Sequence, residues 1–165
     1  GSLVAQAVAR ELGDKTKGVS IIGGYSIYRN NESILRQQKK EMGKWLFMIL
    51  FSMKKFRQYL VSVSVHSDEG KYVFGLGTNC FSRRSFVPMQ GMGKLMQPID
   101  ESMKFPSLLM AGEFDQPLAI ETAKAWHLTE PNSELVILKD AGHCANVDNP
   151  NAFNEQLEKF IDKVK

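Results

Sequence analysis

Two short apolar runs near the end of the chain constrain its fold more than any other feature. Ser107-Leu-Leu-Met-Ala111 and Glu134-Leu-Val-Ile-Leu138 have the length and composition of buried strands, and each runs into a turn and then a stretch of helical periodicity. The first ends at Gly112-Glu-Phe-Asp115 and is followed by helical sequence from Leu118 to Leu128. The second ends at Asp140-Ala-Gly-His143, and the segment from Asn151 to Val164 then places Phe153, Leu157, Phe160 and Ile161 on one helical face. Strand, helix, strand, helix is the pattern of a parallel sheet covered by helices. In such sheets, sites form just beyond the carboxyl ends of the strands. Asp115 and His143 occupy two such ends.

The opening of the chain fits the same α/β class. Leu3 to Leu12 is rich in helix formers and stops at Gly13, and Val19-Ser-Ile-Ile22 is a β-branched run ended by Gly23-Gly24. From Tyr28 to Phe105 the character changes to polar and aromatic amphipathic sequence. One helix is expected to start at Asn31, and another is expected over Lys44 to Leu60 with Trp45, Met48, Ile49, Phe56 and Leu60 as its apolar positions. Val61-Ser-Val-Ser-Val65 reads either as a strand or as an extension of that helix, and Tyr72 to Asn79 is ambiguous around its two glycines.

This middle block is also distinct in charge. Between Arg29 and Phe105 stand 13 Lys and Arg against 6 Asp and Glu, whereas the whole chain carries only +3. It holds seven of the eight methionines, which suit either an ordinary core or a surface that repacks around varied apolar ligands. The positive charge favours an anionic substrate or carrier, such as a carboxylate or a phosphate-bearing thioester, and a solvated basic surface accounts for it equally.

An Asp and a His at the ends of successive strands can converge, the carboxylate holding the imidazole ready to take a proton. A nucleophile is missing from the pattern. Ser2 has no strand before it, and Cys144 adjoins the histidine on a loop and reads as a small packed thiol. His66 and His127 have no partner at metal-ligand spacing. Asp140, close to His143 at the start of the glycine turn, is a competing acid. Gly91-Met-Gly-Lys94 lacks the first glycine and the Ser or Thr of a phosphate loop, and Asn31-Glu-Ser33 is a glycosylation sequon that matters only in a secreted chain.

The stretch Phe105-Pro-Ser-Leu-Leu-Met-Ala-Gly-Glu-Phe-Asp115, together with Asp140-Ala-Gly-His143 and Pro150, resembles the acid turn and histidine loop of the α/β-hydrolases. Gly1-Ser-Leu-Val-Ala-Gln-Ala-Val-Ala9 is similar to the stretch that directly follows that family's nucleophile elbow, with Gly1 as the last glycine of G-x-S-x-G. The resemblance implies a partial α/β-hydrolase fold, with three C-terminal parallel core strands, helices and an inserted, mainly helical lid. It divides the chain into core at residues 1–27, lid at 28–105, and core with the acid and histidine loops at 106–165. It implies a Ser-His-Asp hydrolase acting on an ester, lactone or thioester, with Asp115 and His143 catalytic and the serine two residues before Gly1. A small apolar or acyl-type substrate is expected, with no cofactor, no metal and no nucleic-acid partner. The alternative is a non-catalytic hydrolase-fold binding protein or an inactive truncated fragment.

The longest apolar run, Trp45 to Phe51, falls far short of the ~20 residues of a membrane-crossing helix. Two cysteines, Cys80 and Cys144, are too few for a disulfide framework, which suggests free thiols in a reducing, cytoplasmic setting. Three core strands with an uncovered edge also predict exposed apolar surface and poor solubility for the 165 residues alone.

Overall fold

A computed structural model of the chain describes residues 1–96 and 101–165. Helix α1 (Ser2–Leu12) leads through a short 3-10 turn into strand β1 (Val19–Ile22). Three helices follow: α2 (Glu32–Phe51), α3 (Met53–Ser64) and α4 (Asp68–Thr78). Two 3-10 segments, Arg83–Phe86 and Pro88–Leu95, come next. The chain then returns through β2 (Ser107–Gly112), α5 (Pro117–Leu128), β3 (Ser133–Leu138), the short α6 (Ala145–Asp148) and α7 (Pro150–Val164). The expected part of the insertion at residues 97–100 lies outside the described residues.

The three strands form one parallel sheet in the order β1-β2-β3, with Val19 opposite Ser107 and Ser107 opposite Ser133. Every residue of the central strand β2 is buried, as a parallel strand covered on both faces requires. Alternation along β2 divides the core. Leu109 joins Leu3, Ala7, Ile21, Ile27 and Trp126 on one side, while Leu108 and Met110 join Leu138, Ala145 and Phe160 on the other.

Gln6 is a fully buried polar residue of α1 and ties that helix to the chain leaving β1. Its Nε2 donates to the Tyr25 carbonyl at 2.8 Å, and its Oε1 accepts from the Ile27 amide at 3.0 Å. A buried amide side chain is tolerated here because both of its ends find backbone partners.

The middle block, residues 28–105, departs from the sequence expectation in its helix boundaries. A single helix runs through Gly43, so the expected break before Lys44 does not occur. The chain turns at Ser52 instead. There the extended backbone (φ −158°) ends α2, and the hydroxyl accepts from the Lys55 amide, capping α3. The Val61–Val65 stretch continues α3 as far as Ser64, and Tyr72 to Thr78 is helical, started by the Ser67 hydroxyl accepting from Gly70. In α7, Phe160 is buried with Phe153 and Val164 packed around it, whereas Ile161 is exposed at the edge of the apolar stripe.

The methionines of the middle block do not share one role. Met103 is buried in the core cluster with Met92 packed against it, while Met42 is exposed on α2.

Candidate functional site

Asp115 and His143 meet at the carboxyl end of the sheet. The turn after β2 is held by the Glu113 amide donating to the Leu138 carbonyl and the Phe114 amide donating to the Ala141 carbonyl, both at 2.9 Å. These bonds align the acid turn with the histidine loop that follows β3. His143 Nδ1 lies 3.1 Å from each oxygen of Asp115. The Asp115 side chain is fully buried, and its Oδ1 also accepts from the Gln116 amide at 2.7 Å. The competing acid, Asp140, is exposed at a positive φ of 54°.

The hydrogen bond to Asp115 raises His143 above the ordinary histidine value; burial of the ring opposes this, and the negative charge of Asp115 adds to it. Because the folded value lies above the unfolded one, the pair contributes stability that is full below the unfolded value. That stability is lost as pH rises through the folded value. Asp115→Asn is therefore expected to move the imidazole titration, followed by the ring proton resonances, toward lower pH. An unchanged titration would mean that the carboxylate does not control the ring.

The ring leaves 44% of its side-chain surface exposed, facing a cavity of about 430 Å³. Its lining includes Ser2, Gly23, Gln38, Trp45, Asp115 and His143. Among the described residues no lysine or arginine lines it, so the basic charge of the middle block is displayed elsewhere. Gly23 packs directly on the imidazole. Its φ is +54°, and a Cβ there would stand 2.5 Å from His143 Cε1. Both the backbone conformation and the close approach require glycine. The Gly23-Gly24 pair was legible in the sequence only as the end of a strand, although paired glycines there are also a signal of close approach.

Asp148 is a site-supporting residue that sequence reasoning missed. Its Oδ2 accepts from the amides of Gly142 at 2.7 Å and His66 at 2.8 Å. Its Oδ1 accepts from the Ser67 amide at 2.9 Å and the Ser67 hydroxyl at 2.8 Å. The carboxylate thus ties the α3–α4 corner to the residue before His143. The Cys144 amide donating to the Ser64 carbonyl at 2.7 Å and the stacking of His66 on Phe114, with centroids 3.8 Å apart, reinforce the joint. Burial pushes the Asp148 carboxyl up, but the hydrogen bonds from Gly142, His66 and Ser67 outweigh it and hold it below the usual carboxylate range. Its contribution is therefore present above the unfolded carboxylate value and lost as pH falls through the folded one. Asp148→Ala is expected to cost about 2 kcal/mol near neutrality, with water reaching some of the freed amides. Urea unfolding would show the gap from the unsubstituted protein closing in acid.

The other candidates are not joined to this pair by side-chain hydrogen bonds among the described residues. Cys144 is half-buried, and its thiol is pushed up to about 11, chiefly by burial and further by the Asp148 and Asp115 carboxylates. Such a thiol is a poor nucleophile at neutral pH. His127 Nδ1 pairs with the Ser133 hydroxyl at 2.8 Å, and Cys80 is exposed. Ser2 lines the cavity from the first turn of α1, but no hydrogen bond joins it to His143 among the described residues. Among those residues no group of three His, Cys, Asp or Glu side chains is placed to hold a metal, and no helix is long and apolar enough to cross a membrane.

A parallel sheet covered on both faces, with an acid and a histidine delivered from the ends of adjacent strands, defines the class as a hydrolase-type α/β fold. No protein-family model matches the chain. It is 40% identical to the Mus musculus protein named Protein ABHD14A over 84 residues, which make up 49% of this chain and 33% of that relative. A thermophilic esterase is similar with a TM-score of 0.63 and 24% identity over 99% of this chain. A thermophilic esterase from Thermogutta terrifontis reaches a TM-score of 0.77 at 17% identity, also over 99% of the chain. The chain has the α/β-hydrolase fold of these esterases. It spans 63% and 62% of the lengths of those two esterases, so its fold is a partial one relative to theirs.

Proposed function

We propose that Asp115 and His143 are the acid and base of a Ser-His-Asp hydrolase acting on an ester, lactone or thioester. The observation that carries this reading is the buried Asp115 carboxylate on His143 Nδ1, beside a cavity lined by both residues. With Nδ1 engaged, Nε2 is the nitrogen left to move a proton. The neutral ring takes the proton from a serine hydroxyl as its oxygen attacks the acyl carbon, and the resulting imidazolium returns it to the leaving alkoxide or thiolate. The same nitrogen then deprotonates the water that releases the acid. No serine in a G-x-S-x-G pattern occurs within the 165 residues, so the nucleophile of this proposal is supplied from outside them.

The segment 28–105 acts in this reading as a lid over the substrate. Ile34, Trp45, Leu60 and Val63 from α2 and α3 line the cavity and suit an apolar acyl or alcohol group. The absence of Lys and Arg from that lining favours an uncharged group at this position over an anionic one.

The test is made on the protein as its own cell makes it. Its intact mass, its labelling by a serine-reactive fluorophosphonate and its hydrolysis of p-nitrophenyl butyrate are measured together. Labelling and turnover that are both lost in His143→Ala support the proposal. A mass near 18.6 kDa with neither labelling nor turnover would overturn it in favour of a binding role.

A further inference from the structure

We propose that the α2–α3 corner is a docking surface for an anionic lipid bilayer. The inference is independent of the hydrolytic reading. Helix α2 has two unlike faces. Ile34, Gln38, Glu41 and Trp45 line the cavity beside His143, while Leu46, Phe47, Leu50 and Phe51 point away from it and are 59, 65, 63 and 69% exposed. Four large apolar side chains in the last two turns of one helix form a contiguous patch of the kind that marks an interaction site. The rings of Phe47 and Phe51 lie 4.6 Å apart, so the patch is already assembled.

Charge identifies the occupant. At helical spacing, the outward stripe that carries Leu46, Phe47 and Leu50 also carries Arg36, Lys39 and Lys40, all exposed, in its preceding turns. Lys54 and Lys55, exposed at the start of α3, flank the apolar end on its other side. Glu32 is at the opposite end of the helix, and Glu41 faces inward, accepting from the Tyr59 hydroxyl at 2.9 Å. An apolar tip between basic groups is the complement of a bilayer surface: the tip enters the acyl boundary to a depth of about 5–10 Å while lysine and arginine meet anionic headgroups. The tip is also rigid. Arg83 donates to the Ile49 carbonyl at 3.1 Å and to the Leu50 carbonyl at 2.8 Å, closing the end of α2. Helix α2 itself is not long and apolar enough to cross a membrane, so this face would lie on the bilayer and not span it.

Vesicle flotation of the full chain tests the proposal, because aggregated protein stays at the bottom of the gradient while bound protein rises. The probes are phosphatidylcholine vesicles with and without about 30% phosphatidylserine. The chain is expected to rise with the anionic vesicles, to do so about tenfold less with pure phosphatidylcholine, and to be released by salt. Phe47→Ser/Phe51→Ser is expected to reduce flotation at least about tenfold, and Lys39→Gln/Lys40→Gln to reduce it about tenfold on anionic vesicles only. All four side chains are exposed, so circular dichroism should be unchanged and loss of binding would not reflect unfolding. No flotation, or flotation indifferent to both double variants, would overturn the proposal. Self-association abolished by Phe47→Ser/Phe51→Ser, without vesicle binding, would also overturn it and assign the face to a second copy of the chain.

Discussion

His143→Ala is expected to lower kcat by on the order of 10⁶-fold in the protein as its own cell makes it, with p-nitrophenyl butyrate as the reporter substrate. Among the described residues of the site, the imidazole is the group placed to take a proton while a buried carboxylate holds its other nitrogen. Under the proposed mechanism, removing it would abolish both the deprotonation of the nucleophile and the protonation of the leaving group. Asp115→Asn is expected to cost less, on the order of 10⁴-fold, because a carboxamide can donate to Nδ1 and favour the wrong tautomer. Under the same proposal the neutral ring acts as the base, so activity should rise with pH through the raised titration of His143. Turnover insensitive to His143→Ala would remove the catalytic role from this pair and leave the fold intact.

Gly112→Ala is expected to be the most destabilising substitution in the core, by about 4 kcal/mol or more. A methyl group on Gly112 would run into the carbonyl oxygens of Gly142 and Ala141. Both obstacles are backbone, so no side chain can swing aside, and the loop they belong to is held by the amides of Glu113 and Phe114. The acid turn and the histidine loop would have to separate. Urea unfolding should show the loss of stability, and the His143 titration should fall back toward the ordinary histidine value as Asp115 withdraws. Gly43→Ala supplies the contrast: open space surrounds that Cβ position within α2, and the substitution should stabilise the helix by about 0.5–1 kcal/mol. Equal stability of the two variants would show that the close approach at Gly112 is not required.

The strands and core helices were legible because their signals are local. Val19–Ile22 coincides with its apolar run, and β2 and β3 extend the runs at Ser107 and Glu134 by one residue. Leu118 to Leu128 and Asn151 to Val164 each differ from the observed helix only by a leading proline, a residue well suited to a first helical turn. The middle block was harder to read. The expected helix starting at Lys44 is instead continuous with the one before it through Gly43, whose Cβ position meets open space, and the break falls at Ser52, whose hydroxyl caps α3. Ile161 follows the helical period of α7, yet it stays exposed at the edge of the apolar stripe while Phe160 is buried.

For the site, local sequence places an acid and a histidine at the ends of neighbouring strands, because strand ends and turns are written in adjacent residues. It takes the packing in three dimensions to bring Asp115 and not Asp140 to His143, to lay Gly23 against the imidazole and to tie Asp148 to the corner at His66 and Ser67. The Asp115–His143 pair is 28 residues apart in sequence, and the donors of Asp148 in the α3–α4 corner are 81 and 82 residues away. Hydrogen bonds form where groups meet in space, and over such separations the meeting is set by the register of β2 against β3 and the packing of the insertion, neither of which any local run of residues encodes.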